Sequence, residues 1–171
     1  AIGVSAGDAL TTGFQNVLIG QNAGGAMATG TYNVAIGRQT LGGATHTGQL
    51  NTVIGTDAGR LATAASQSVF IGYDAGGTVT TGNNNIAVGS DAMNGASTTG
   101  DNNIAIGRSA GDALTSGKQN VIIGYGAGAN DVNFTTGYNC TLIGTLADVH
   151  TAAAQNVTAI GYDCSGQGNN T

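Results

Sequence analysis

The chain has 171 residues, 31 of them glycine, with no proline, no tryptophan and a formal net charge of -5. Only 8% of residues are charged and four are basic, which excludes the clustered Lys and Arg that nucleic acid and anionic membrane surfaces require. Glycine does not fall at every third position, which excludes collagen; recurrent Val, Ile and Thr argue against disorder, and no apolar run approaches the ~18 residues of a bilayer span.

The expected elements follow one another at a fixed period. Each is a short β-branched run closed by glycine, ending at Gly3, Gly20, Gly37, Gly55, Gly72, Gly89, Gly107, Gly124, Gly144 and Gly161. The spacings are 17, 17, 18, 17, 17, 18, 17, 20 and 17 residues. So steady a period marks a solenoid. Immediately before the glycine stands Ile or Val in every copy, and three before it stands Val17, Val34, Thr52, Val69, Ile86, Ile104, Val121, Thr141 or Thr158. Two β-branched positions at period 2 predict a strand. After the glycine comes a small-residue segment, as in "SAGDAL", then a "TG" turn such as Thr29-Gly30, then the next strand. A one- or two-turn helix in the middle segment is disfavoured by its Gly and Thr and by its length. The fold expected is an all-β parallel β-solenoid, a β-roll of about ten 17–18-residue coils, forming a single repeat domain over residues 1–171.

Two columns carry the expectations about assembly. Four before the glycine stand Asn16, Asn33, Asn51, Asn85, Asn103 and Asn120, with Ser68 between; stacked ~4.8 Å apart, these are expected to form an amide ladder. Two before the glycine stand Ala1, Leu18, Ala35, Val53, Phe70, Ala87, Ala105, Ile122, Leu142 and Ala159. If the flanking β-branched columns fill the coil, this one points outward. Because it is apolar throughout, it is expected to be the interface with a neighbouring subunit of a homo-oligomer. The chain opens on "AIG" and closes on "GNNT", so that Asn170-Thr171-Ala1-Ile2-Gly3 would write the motif again across a join. The domain is therefore expected to be a segment of a longer tandem array or of a head-to-tail fibre.

Chemistry-bearing candidates are few. Asp57, Asp74 and Asp91 occupy one column in successive coils and are expected to splay into solvent rather than share a cation. "GYGAGA", Gly124 to Ala129, with Asp148 beyond it, imitates a dinucleotide fingerprint, but the same frame recurs in each repeat and no helix is expected after it. Cys140 and Cys164 sit in different columns and are expected to be small buried hydrophobes rather than a disulfide. His46 and His150 have no ligand spacing around them. The 20-residue interval around "GANDVNFTTGYN" is expected to hold a three-residue surface loop, and Asn133-Phe134-Thr135 there is a glycosylation sequon. No catalytic residue, cofactor, metal site, nucleic-acid partner or membrane insertion is expected.

The stretches Thr81 to Ala92, "TGNNNIAVGSDA", and Thr99 to Ala110, "TGDNNIAIGRSA", resemble the repeats of trimeric autotransporter adhesin heads and bacteriophage tail-fibre shafts, and the resemblance extends over essentially the whole chain. It implies parallel β-roll coils, three chains around an axis and roles in reach and adhesion. Adhesin-head coils are typically shorter, a departure that bears on cross-section and chain number. The functional expectation is a structural segment of an extracellular, cell-surface or virion fibre, not an enzyme. The alternative is an adhesin module for a host receptor or glycan.

Overall fold

A computed structural model describes residues 1–129 and 134–166. The chain is an all-β parallel solenoid of about nine turns, roughly 17 residues apart, with no helix among the described residues. Nine three-residue strands make one parallel sheet: β1 (Val17–Ile19), β2 (Val34–Ile36), β3 (Thr52–Ile54), β4 (Val69–Ile71), β5 (Ile86–Val88), β6 (Ile104–Ile106), β7 (Val121–Ile123), β8 (Thr141–Ile143) and β10 (Thr158–Ile160). A two-stranded sheet joins β9 (Asp148–Val149) to β11 (Ser165–Gly166). Ile2 continues the large sheet by a single bridge to Ile19. Every strand pairs in register with the next, so that Leu18, Ala35, Val53 and Phe70 stand in one column. Eight steps of about 4.8 Å give a sheet roughly 38 Å long.

The column two before the glycine faces inward, not outward. Leu18, Ala35, Val53, Phe70, Ala87, Ala105, Ile122, Leu142 and Ala159 are all buried inside the single chain, and most have no exposed surface at all. Ala1 is exposed at the end of the stack. This corrects the assignment of these ten residues to a subunit interface: nine of them, one from each of nine successive coils, form the core of the chain itself. The flanking β-branched residues point out instead, as Val17 and Ile19 do on either side of Leu18. The physical reason is room. Inside the coil the middle residue meets further inward positions, and in several coils they compensate in size. Ala35 shares its coil with buried Leu41, and Ala87 with buried Met93; large Phe70 stands instead against Gly76, where a Cβ would lie 2.6 Å from its ring.

Leu41 and Met93 identify the two 18-residue coils. In the neighbouring coils glycine stands four after the closing glycine, as at Gly59 and Gly76, with φ near +60°. Leu41 (φ 49°) and Met93 (φ 52°) adopt nearly the same left-handed backbone, a strained one for a side-chain-bearing residue. Burial of their side chains offsets that strain. Leu50, at φ 61°, has no such compensation, being 51% exposed. Its column carries Asn84, Asn102, Asn139 and Asn156, all left-handed. Leu50→Asn is therefore expected to stabilise the chain by about 0.5–1 kcal/mol, seen as a higher midpoint in thermal melts. A lower midpoint would mean that the Leu50 side chain contributes packing that its exposure hides.

The three-residue surface loop expected in the 20-residue interval falls on residues 130–133, which lie outside the described residues, and the chain is described again from Phe134. Phe134 is fully buried, and Thr115 N–H donates to the Thr135 carbonyl, which sets Phe134 over Leu114. Asn133 of the sequon, and the terminal Asn170 and Thr171 of the expected join, lie outside the described residues.

Candidate functional site

Three features rise above the repeated background: the outward sheet face, the buried asparagine column and the polar corner after the closing glycine. The outward face follows from the strand pleat. Nine strands present eighteen residues on it, of which fifteen are Val or Ile and three are Thr. No charge interrupts it. Ile54, Ile71 and Ile106 are 37–38% exposed in the middle of the stack. A sheet face turned to water normally alternates to polar residues, and this one does not. On one side it is edged by Tyr73, Arg108, Tyr125 and Tyr162, one after the closing glycine; the three tyrosines are half-exposed or more. The Arg108 guanidinium stands 5.7 Å from the centre of the Tyr125 ring.

The asparagine column is inside. Asn33, Asn51, Asn85, Asn103 and Asn120 are buried, and Asn16 is half-buried at the first coil. Each side-chain oxygen accepts the backbone N–H one coil along: Asn33 N–H to Asn16 Oδ1 (2.9 Å), Asn51 to Asn33 (3.0 Å) and Asn103 to Asn85 (2.8 Å). Each Nδ2 donates to the carbonyl of the next turn, as Asn103 does to Gly117 (2.8 Å). Direct amide-to-amide bonds occur at three steps, Asn51 to Asn33 (3.0 Å), Asn103 to Asn85 (3.2 Å) and Asn120 to Asn103 (3.0 Å). The ladder thus runs mainly between side chain and backbone. Buried backbone groups need partners, and this column supplies them where the coil bends away from the strand. Ser68 Oγ accepts the Asn85 N–H (3.1 Å) in the coil that lacks Asn. At the far end Cys140 N–H donates to Asn120 Oδ1 (3.0 Å).

The corner acids do not splay into solvent. Asp57 is 9% exposed and takes Arg38 Nη2 at 3.0 Å. Asp74 accepts from Asn94 Nδ2 at 3.0 Å, and Asp91 from Ser90 Oγ at 2.8 Å. Each acid has a donor of its own, while Asp57 and Asp74 each keep a second buried oxygen, Oδ1, without a hydrogen-bond partner among the described residues.

The remaining candidates are scattered. Gly124 to Ala129 form an ordinary coil corner. Asp148 lies in β9. Cys140 and Cys164 are both free thiols; Cys140 is buried, and burial pushes its thiol up. His150 is exposed and His46 is fully buried, in separate coils. Sequence reasoning passed over His46, although it falls nine residues after its closing glycine in one 18-residue coil, as buried Thr98 does in the other.

No protein-family model, curated protein or solved structure matches the chain.

Proposed function

We propose that this chain is a structural segment of an extracellular, cell-surface or virion fibre, working by stiffness and by self-association through its outward sheet face. The observation that carries the reading is the unbroken stripe of β-branched aliphatic residues along nine stacked strands, edged by tyrosine and arginine. An apolar centre with an aromatic and arginine rim is the composition of protein interfaces, and so long a stripe on a lone chain is an association site. A second copy offers the same flat corrugation at the same ~4.8 Å pitch, so the partner that fits is the chain itself, around or across a symmetry axis. The stack supplies stiffness, because each strand is hydrogen-bonded to its neighbours along the whole rod.

Sedimentation at micromolar concentration tests this. The wild-type chain is expected as an oligomer. Ile71→Lys combined with Ile106→Lys, both outward-pointing, should weaken association by at least about 100-fold, because pairing the faces would bury unpaired charges. The thermal midpoint at high dilution should stay near that of the wild type. A monodisperse wild-type monomer would overturn the reading.

An adhesin module is the second reading, and the exposed Tyr73, Tyr125 and Tyr162 favour it. Aromatic rings in a row suit the apolar faces of a sugar chain. Glycan binding that disappears on Tyr125→Ala while the oligomer persists would select it.

A further inference from the structure

We propose that His46 makes its coil an acid-sensitive rung, so that the solenoid opens at this one place when its surroundings acidify. The imidazole has no exposed surface. Its Nδ1 lies 3.2 Å from the Ala62 carbonyl oxygen, which can only accept, so Nδ1 carries the hydrogen. Its Nε2 lies 3.4 Å from Asn51 Nδ2, an amide nitrogen that cannot accept and whose two hydrogens go chiefly to Asn33 Oδ1 and the Ala65 carbonyl, so Nε2 carries no hydrogen and the ring is neutral. Protonation at Nε2 sets donor against donor and places a charge in the core.

Nothing nearby compensates that charge. His46 pairs with Met27 in the preceding coil, Gly48 of its own turn packs within contact of the ring, and Ala62 bounds it in the next coil. None of these can ionise. Burial is the main influence on the ring and holds it below its ordinary value near 6.5, against a smaller opposing effect of the Ala62 carbonyl; no carboxylate contributes. The unfolded chain therefore takes up the proton first. The stability due to the neutral ring is complete above about pH 6.5 and is lost as pH falls below it. Asp112 acts in the opposite sense: burial first, and Asp91 second, raise its carboxyl, which favours the folded state as pH falls. Asp57, in the coil after His46, is held by Arg38.

The opening has a defined path. Asn51 donates to the Ala65 carbonyl at 2.8 Å and to Asn33 Oδ1 at 3.0 Å, and its own oxygen accepts the Ser68 N–H at 2.9 Å. Expelling a charged His46 strips one side of this rung of the ladder. The chain also contains its own control. Fifty-two residues on, Ala87, Met93, Thr98 and Asn103 repeat Ala35, Leu41, His46 and Asn51. Thr98 Oγ1 donates to the Leu114 carbonyl at 2.8 Å, as His46 Nδ1 does to that of Ala62. The smaller Thr98 faces the larger Leu114, and the larger His46 faces Ala62. Thr98 does not titrate.

Hydrogen exchange followed by mass spectrometry on the whole chain, corrected for intrinsic rates, compares the two coils at neutral pH and at about pH 5. Opening of the segment 40–52 is expected to rise several-fold on acidification, with the segment 92–104 unchanged or slower. His46→Thr should abolish the rise, and Thr98→His with Leu114→Ala should transfer it to the second coil. Equal responses of the two wild-type segments would overturn the proposal, a result that depends on no variant folding. So would an NMR titration placing His46 of the folded chain at or above its ordinary value. Neither measurement depends on the oligomer, so this proposal and the fibre reading fail separately.

Discussion

Gly89→Ala should cost at least about 3 kcal/mol, while Gly161→Ala costs about 1–2 kcal/mol. Both glycines close a strand, at φ 132° and 142°, where any L side chain is strained. The difference lies above them. A Cβ on Gly89 would stand 2.5 Å from the Gly107 carbonyl oxygen and 2.6 Å from its carbon. Those atoms are backbone of the next coil, held by the in-register sheet, so they cannot move without lengthening hydrogen bonds on both sides. Among the described residues, a Cβ on Gly161 meets nothing nearer than Cys164 Cβ and Sγ at 3.8 Å. The pair therefore separates the conformational cost from the stacking cost. Urea midpoints of the two variants measure it, and equal losses would show that the coils part without penalty.

The second large effect is expected at Asn103. Its Nδ2 donates to the Gly117 carbonyl (2.8 Å), and its Oδ1 accepts from Asn120 N–H (3.2 Å) and Nδ2 (3.0 Å). Asn103→Leu keeps the volume and removes every bond. It leaves at least a carbonyl and an N–H buried without partners, at about 1–3 kcal/mol each, for a loss of roughly 2–5 kcal/mol. Asn103→Ser should lose about half of that, because Ser68 already shows that a hydroxyl in this column can accept the next N–H. Were leucine tolerated as well as serine, the column would be filling space and not satisfying the backbone. Equilibrium unfolding of the three chains decides.

The period, the strand positions and the closing glycines could be read from spacing alone. So could the stacking of asparagine, because a polar residue recurring beside a β-branched run in a coil with few charges has an internal partner or none. The side each strand turns inward was not readable from alternation. Val34, Ala35 and Ile36 are all apolar, and a pattern of period 2 shows its sense only when one phase is polar. Size variation would have shown it. The outward columns are uniformly β-branched, whereas the middle column runs from Ala35 to Phe70. A packed interior permits that range only where another residue compensates, as buried Leu41 does for Ala35, Met93 for Ala87 and Leu114 for Ala105. Phe134 was hidden for a related reason: an aromatic after an insertion reads as loop until the register of Thr115 and Thr135 puts it over Leu114. The corner acids were misjudged because their partners, Arg38 and Asn94, are 19 and 20 residues away, in adjacent coils but in columns one and three positions off.

The compensating sizes give the rod a unit of length. Coils of 17, 17 and 18 residues recur as a block of 52, from Gly37 to Gly89. Removing residues 38–89 would join Gly37 to Ser90 and bring Met93 beside Ala35, replacing Leu41 with a residue of similar bulk. Removing residues 38–55 alone would bring Gly59 there and leave Ala35 facing a void. Lengthening or shortening the rod by this block of three coils therefore preserves the pairing at Ala35, in a step of roughly 14 Å.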